Sequence, residues 1–549
     1  MKGLMMERQL LVIDILKHAN RNFPNVEIVS ETVEGGRHRY TYSDAYRRTA
    51  KLANALQRLG AKTGDRVGTL AWNGYRHFEL YYATAGTGTV IHTINPRLFP
   101  EQLIYVINHA EDRWLFLETS FVEAAEKLAP HLPTIEGFVI LCDREHMPET
   151  SLPNAMCYED LLAIEEEEYS WAELDEKTAC GLCYTSGTTG NPKGVLYSNR
   201  GVVLHTMASG APDAIHYSLQ DVVMPVVPMF HVNAWGSPHA SPMFGAKLVL
   251  PGPKMLDGKT LQALINEEGV TISLGVPTIW TALMNYVKEN GGDLKPMNRS
   301  IIGGSACPPA LMKSFRDYGV RVRHAWGMSE TTPLGVLNTP KPEFASWPLE
   351  EQQRMDEKTG HGFFGIEMKI VDGDNTELPW DGVQFGALKV RGPWVCNDYF
   401  KLDGASDAHD ADGWFSTGDV ATIDEYGFMQ ITDRTKDVIK SGGEWISSIE
   451  LENIAVSYPG VAEAASIAME HTKWGERPLL VIRKSEGVEI DKRALIDFYQ
   501  GKVANWWIPD AVEFIEEVPH TATGKVSKLK LREHFSNYEW PAGTDPKRE

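Results

Sequence analysis

The sequence predicts an α/β protein: a large N-terminal domain of layered α/β subdomains, a small β-rich subdomain within it, and a separate α+β C-terminal domain. Three observations carry that expectation. Helical and strand-like periods alternate along most of the chain, short alternating strands replace them between Ile366 and Asp433, and a fresh block of sequence starts at Arg434. At 549 residues the chain exceeds what one core normally serves, and its 43% of hydrophobic residues can fill more than one.

The elements follow in order. Ser43 and Asp44 read as the cap of a helix with apolar positions at Ala50, Ala53, Leu56 and Leu59 and a stop at Gly60. A strand is expected over 66–71, and the same rhythm returns as helix 261–268 before strand 271–275 and helix 309–318 before strand 320–324. The acidic run 165–168 reads as a solvated connector ahead of an apolar strand over 179–184. Strands at 367–371, 387–391 and 428–432, with turns at Asp372-Gly373, Asp381-Gly382 and Gly427, define the β-rich subdomain at roughly 360–433. The large domain is therefore expected over 1–433 and the small one over 434–549.

Charge and composition narrow the function. A net charge of −21, from 53 basic and 74 acidic side chains, argues against nucleic acid or an anionic membrane as partner. Any polyanion site must then be a local positive pocket in a negative field. The six cysteines are scattered rather than framed, which suits a reducing compartment. The most apolar stretch, 222–235, is broken by Pro225, Pro228, His231 and Asn233, so no integral membrane segment is expected. Residues 10–16 are apolar but short and interrupted by Asp14, too weak for a cleavable signal; a cytoplasmic location follows.

The most informative segment is 181–195, Gly-Leu-Cys-Tyr-Thr-Ser-Gly-Thr-Thr-Gly-Asn-Pro-Lys-Gly-Val. Thr185, Ser186, Thr188 and Thr189 alternate with Gly187, Gly190 and Gly194 and close on Lys193. Glycines let backbone N–H groups curl around an anion, hydroxyls donate hydrogen bonds or ligate a metal, and the lysine sets a point charge by the outer phosphates. The Walker P-loop needs Gly-Lys-Ser/Thr opening a helix, whereas Lys193 lies between Pro192 and Gly194, so that reading fails. A plain flexible loop would explain the composition but not the order of the residues. Cys180 and Cys183 have redox or zinc spacing, yet they stand in the apolar lead without a second ligand pair and read as buried strand cysteines.

This string resembles the signature loop of the adenylate-forming superfamily: acyl-CoA synthetases, luciferases and nonribosomal adenylation domains. Further motifs follow in the family's order. His324-Ala325-Trp326-Gly327-Met328-Ser329-Glu330-Thr331 is similar to its aromatic-Gly-x-Thr-Glu motif, with serine and tryptophan where threonine and tyrosine are commoner. The resemblance implies that Trp326 stacks on adenine, Ser329 binds the α-phosphate, and Mg²⁺ is held by Glu330 with Thr185; Gly304, Ser305, His324, Ala325 and Gly327 complete the nucleotide wall. Asp419, in Trp414-Phe415-Ser416-Thr417-Gly418-Asp419, is expected to accept both ribose hydroxyls, as an ionised double acceptor suits a vicinal diol. Arg434 is implied at ribose or phosphate, Lys436 as the hinge of a mobile C-terminal domain, and Lys440 and Trp445 as nucleotide contacts. Gly442, Gly443 and Glu444 would face the pantetheine thiol of CoA. Pro519-His520-Thr521-Ala522-Thr523-Gly524-Lys525 resembles the terminal motif, making Lys525 the adenylation lysine.

The expected reaction is activation of a carboxylic acid by ATP through acyl-AMP, then transfer to CoA. No side-chain nucleophile is required, in keeping with the lack of a Gly-x-Ser-x-Gly elbow. Phe230-His231-Val232-Asn233-Ala234-Trp235-Gly236 resembles the family's acyl-site segment, with His231 beside the chemistry and Trp235 as a gate; Gly304 and Ala306 leave room for a chain. These features favour an aliphatic acid, and the expectation is a medium-chain fatty acid. Alternatives are 3-methylmercaptopropionate, a long-chain or aryl acid, a carrier-loading adenylation enzyme, and a noncatalytic acyl-nucleotide binder, which an intact Glu330 and Lys525 oppose. A homodimer is implied by resemblance alone.

Overall fold

The computed structural model describes residues 1, 3–185, 191–402, 408–442, 444–520 and 526–541. They form two compact units, Met1–Glu367 with Arg391–Asp407, and Met368–Val390 with Ala408–Glu549.

Two large sheets organise the first unit. Among the described residues one has seven strands, in spatial order Ala155–Cys157, Gly137–Ile140, Asp112–Leu117, Arg66–Leu70, Val90–Thr93, Ala179–Tyr184 and Gly194–Ser198. All neighbours are parallel except the last pair. The second has nine, with a parallel centre running Glu27–Glu31, Lys247–Leu250, Val222–Pro225, Ile272–Gly275, Arg299–Ile302 and Arg321–Gly327. Antiparallel strands close its edges: Arg37–Thr41 on one side, Leu334–Leu337 and His361–Gly362 on the other. Parallel strands covered on both faces read as near-continuous apolar runs, and ligands collect where such strands end. The segments beginning at Thr185, Gly303 and Met328 each leave the C-terminal end of a parallel strand.

The expected helices are present with adjusted ends. The first spans Tyr42–Arg58, and its cap is Thr41 rather than Ser43: the Thr41 hydroxyl accepts from Asp44 N at 3.2 Å and Thr41 N donates to Asp44 Oδ2 at 2.9 Å. Thr41 also ends the preceding strand, so the helix starts one step after the strand and puts Asp44 in the third position of a capping box. Asp257 caps Gly258–Glu268, and Pro309–Asp317 opens on proline, where a missing N–H costs nothing.

The second unit holds the β-rich strands and the C-terminal layer. Glu367–Val371, Gly386–Arg391, Phe415–Ile423 and Met429–Arg434 line up as one sheet, its last three strands antiparallel. A further sheet is dominated by the hairpin Val461–His471/Gly475–Lys484, joined by Ile439–Ser441, Glu444–Ile446 and a parallel strand Ala511–Phe514. Helices Ser448–Val456 and Lys528–His534 pack against this sheet, giving the expected α+β composition.

Glu268 fastens the edge of the nine-stranded sheet. Its buried carboxylate takes hydrogen bonds from Arg37 at 2.9 Å, Arg39 at 2.8 and 3.0 Å, and Lys247 at 2.9 Å. Burial alone would raise this carboxyl, but the bonds from Arg39 and Lys247 outweigh it and draw the pKa down to about 2. A depressed folded pKa stabilises above the ordinary glutamate value and loses its contribution as pH falls toward 2. Glu268→Gln should therefore lower stability at pH 7 by about 3 kcal/mol and flatten the pH dependence between 5 and 2.5. Urea unfolding across that range checks it; parallel curves for the two proteins would contradict it.

Candidate functional site

The expected phosphate loop is flanked by a paired stem. Tyr184 lies opposite Gly194, Thr185 N donates to Lys193 O at 2.9 Å, and Lys193 N reaches Thr185 Oγ1 at 3.3 Å. Beyond Lys193 the chain enters strand Gly194–Ser198, not a helix, which excludes Walker geometry. Ser186, Gly187, Thr188, Thr189 and Gly190 lie outside the described residues. Only glycine fits easily at 194, where a Cβ would stand 3.1 Å from Leu182 Cδ1 and 3.2 Å from both Phe400 Cβ and Tyr184 Cζ. Cys180 and Cys183 are buried in the incoming strand, and burial pushes the Cys180 thiol up to about 12.

Glu330 stands in a short turn, Ser329–Thr331, and is 5% exposed. The approach to it requires glycine at 327, since a Cβ there would lie 2.0 Å from Pro333 O. Tyr197 of the strand leaving the loop donates its hydroxyl to Ser329 O at 2.9 Å. A segment absent from the sequence reading, Trp394 to Phe400, laces this turn to the phosphate loop. Thr332 Oγ1 donates to Trp394 O at 2.6 Å, Cys396 N to Glu330 O at 2.7 Å, and Phe400 N to Gly194 O at 2.8 Å. Between these anchors the Tyr399 hydroxyl donates to Glu330 Oε1 at 2.7 Å, and Lys193 Nζ lies 4.9 Å from the centre of the Tyr399 ring. Nothing periodic marks this aromatic run in the sequence; its only signal is Trp394, Tyr399 and Phe400 crowded into a segment without helix or strand pattern.

Thr185 and Glu330 are hard oxygen donors. Among the described residues no group of three or more His, Cys, Asp or Glu could hold a metal by itself. Two protein oxygens of this kind fit Mg²⁺, which commonly takes one or two protein ligands and draws the remainder from substrate phosphates and water.

Around the expected nucleotide wall, His324 and Trp326 stand two residues apart and so share one face of strand Arg321–Gly327. His324 is buried, its Nδ1 3.2 Å from Glu357 O, and burial lowers its pKa. Trp326 is 7% exposed and packs over Gly335, whose added Cβ would be 3.1 Å from Trp326 Cζ3. The turn after Arg299–Ile302 brings two segments of the expected acyl site together: a Cβ on Gly303 would lie 2.6 Å from Ala325 O and 3.3 Å from the Trp235 indole. Gly304, at φ +81°, and Ser305 are exposed, and Ala306 is half-buried.

Trp235 is held there by an unusual backbone. Val232, Asn233, Ala234 and Trp235 have φ of 43°, 53°, 47° and 52°, a left-handed turn that costs L-residues about 1–2 kcal/mol each. Its supports are Tyr81, whose hydroxyl donates to Met229 O at 2.6 Å and Asn233 Oδ1 at 3.1 Å, and Ser237, which donates to Ala234 O at 2.9 Å. Asn73 brackets the approach by donating to Pro225 O and Val227 O, both at 2.9 Å, and accepting from Met229 N at 2.7 Å. His231, half-buried, opens the turn.

In the second unit Asp419 is 3% exposed and lies directly across from Arg434, with Nε to Oδ1 at 2.6 Å. Lys436 is exposed. Lys440 is paired with Trp445 across a short hairpin and donates its N–H to Glu476 Oε2 at 2.7 Å. Gly442, at φ +60°, caps the hairpin and donates to Trp474 O at 2.8 Å; Glu444 begins the return strand, and Gly443 lies outside the described residues. Lys525 is likewise outside them; on either side of 521–525 the described residues are joined by the His520–Val526 bridge and by Ser527 N donating to Pro519 O at 2.7 Å. Lys528, which no motif flagged, pairs with Glu452 at 2.7 Å just beyond.

Arg477 fixes the Gly442 hairpin from below. It pairs with Asp510 through two bonds of 2.7 Å and reaches Trp506 O at 2.6 Å, Ile508 O at 3.1 Å and Ser441 Oγ at 3.1 Å, both charged residues being buried. Removing one member of a buried pair leaves the other charge uncompensated. Arg477→Ala should cost about 3–5 kcal/mol, with Arg477→Met/Asp510→Leu recovering most of it, as measured by denaturant unfolding.

Residues 16–400 match the AMP-binding enzyme family and residues 450–525 match the AMP-binding enzyme C-terminal domain. The 3-methylmercaptopropionyl-CoA ligase of Ruegeria lacuscaerulensis is 49% identical over 538 residues, covering 98% of this chain and 99% of the relative. The medium-chain-fatty-acid–CoA ligase of Ectopseudomonas oleovorans is 47% identical over 538 residues, covering 98% of each. The crystal structure of the anthranilate CoA ligase AuaEII with anthranoyl-AMP shares the fold, with a TM-score of 0.86 at 23% identity over 98% of this chain and 99% of that one. Matched along nearly its full length in both its large and its C-terminal portions, this chain belongs to the AMP-binding, adenylate-forming enzymes.

Proposed function

We propose that the protein is an ATP-dependent acyl-CoA ligase that activates a medium-chain aliphatic carboxylic acid. A carboxylate oxygen attacks the α-phosphorus of ATP, the bond to the bridging oxygen of pyrophosphate breaks, and acyl-AMP forms. The CoA sulfur then attacks the acyl carbon, the bond to AMP breaks, and the thiol proton passes to solvent. The observation that carries this reading is the tie between the phosphate-loop stem and Glu330, made by Tyr197 and by the 394–400 segment. Full-length identity to CoA ligases of aliphatic acids supports CoA as the acceptor.

Each residue has a task in this scheme. Lys193 and the loop amides receive the outer phosphates, and Thr185 with Glu330 would hold Mg²⁺, which neutralises phosphate charge as the nucleophile approaches. Trp326 and Asp419 serve adenine and ribose; His231, Trp235 and the Gly303–Ala306 turn serve the acyl chain. Lys525 stabilises charge growing on the pyrophosphate bridge. Rotation about Lys436, at a domain boundary between 433 and 434, then withdraws Lys525 and presents Gly442–Glu444 to the thiol. A homodimer in the cytoplasm completes the proposal, and sedimentation velocity tests the assembly.

A second substrate reading, 3-methylmercaptopropionate, is favoured by the 49% identity to a ligase of that acid. A pyrophosphate-release screen over straight-chain, aryl and methylthio acids, with and without CoA, separates the two. The account predicts the highest kcat/KM for medium-chain acids; a methylthio acid exceeding them would move the assignment. Lys525→Ala should lower adenylate formation by about 10²- to 10³-fold while thioester formation from supplied acyl-AMP stays near normal. Equal loss of both half-reactions would contradict the division of labour.

A further inference from the structure

We propose that Tyr399 is a positioning residue for the metal–triphosphate: its hydroxyl orients the Glu330 carboxylate for the cation while its ring face seats the Lys193 ammonium beside the phosphates. The inference rests on the functional reading above and extends it to a residue that none of the motifs contains.

The geometry is that of a strut. Oε1 of Glu330 receives the Tyr399 hydroxyl at 2.7 Å, and Lys193 Nζ stands 4.9 Å from the ring centre. A carboxylate has two oxygens and about four acceptor positions, so fixing Oε1 sets the rotamer and directs Oε2. An ammonium within about 6 Å of an aromatic centroid is attracted by the ring quadrupole, so the same side chain steadies an anion with its edge and a cation with its face.

The backbone is anchored on both sides of the ring. Cys396 N donates to Glu330 O at 2.7 Å, and Phe400 N donates to Gly194 O at 2.8 Å. Tyr399 lies between these two anchors, so its Cα is referenced at once to the metal-binding turn and to the phosphate-loop stem. The glycine at 194 permits that approach, since a side chain there would press on Phe400 and Tyr184.

A packing role does not account for the arrangement. Tyr399 is only half-buried, and its hydroxyl bonds to a carboxylate that is 5% exposed. Partners that orient a metal ligand in this way are typically worth 10- to 100-fold in metal affinity.

The test uses the full chain with α,β-methylene ATP, which binds without turnover. Nucleotide affinity is measured by calorimetry across a Mg²⁺ titration, and Mn²⁺ occupancy by electron paramagnetic resonance. Tyr399→Phe keeps the ring and removes the hydroxyl: the metal midpoint should rise about tenfold with metal-free nucleotide affinity unchanged. Tyr399→Leu removes both functions, and metal-free affinity should also fall about threefold as Lys193 loses its seat. Thermal midpoints near that of the parent show that the fold is intact, and the phenylalanine variant carries the test if the leucine variant is unstable. A parent-like metal midpoint in Tyr399→Phe overturns the strut alone. No Mg²⁺-dependent nucleotide binding in the parent chain overturns the functional reading, and the strut with it.

Discussion

A nearly buried carboxylate, Glu330, is tied to the stem of the expected phosphate loop in a protein whose net charge is −21. Burying a carboxylate in a negative field is unfavourable, so the protein holds the groups in position by hydrogen bonds and sterics that do not depend on ligand. It does so with backbone. The carbonyls of Ser329, Glu330 and Gly194 are each tied across the site, and the Glu330 side chain has a neutral donor on one oxygen. The cost of organising the anionic corner is thus met during folding, the preorganisation that the proposed nucleotide site requires.

The sheets explain why the corner is where it is. Parallel strands share a polarity, and the segments leaving their C-terminal ends gather on one side of each sheet. Thr185, Gly303 and Met328 are the first residues past three such ends. Glycines keep these crossings open where a Cβ would collide: Gly303 against Ala325 O, Gly327 against Pro333 O, and Gly194, on the returning strand, between Tyr184 and Phe400. The left-handed turn from Val232 to Trp235 works by the same principle at higher cost. Four non-glycine residues are held at positive φ by Tyr81, Ser237 and the Asn73 bracket, which sets the Trp235 indole against Gly303.

Much of this was legible in the residues. The α/β alternation, the strand ahead of the phosphate loop, the β strand at 367–371 and the exclusion of a Walker helix all follow from local pattern, and local pattern survives folding when propensity and burial agree. The helix cap moved from Ser43 to Thr41 because the strand before it ends on a residue that can serve both elements. Tyr399, Asn73 and Tyr81 were illegible for a different reason. Their partners are far off in sequence, 69 residues for Tyr399 to Glu330 and 156 for Asn73 to Met229, and no spacing rule encodes such pairs. The left-handed turn was equally hidden, since Val-Asn-Ala-Trp carries no glycine to announce it before Gly236.

The central claim is that a carboxylic acid reacts with ATP at the α-phosphorus, reversibly and before any thiol takes part. Acid-dependent exchange of labelled pyrophosphate into ATP, run with Mg²⁺ and without CoA, tests it most directly. The account predicts that label enters ATP only when the acid is present and that omitting CoA leaves the exchange in place. Thioester formation accompanied by ADP and orthophosphate, with no exchange under these conditions, would contradict it.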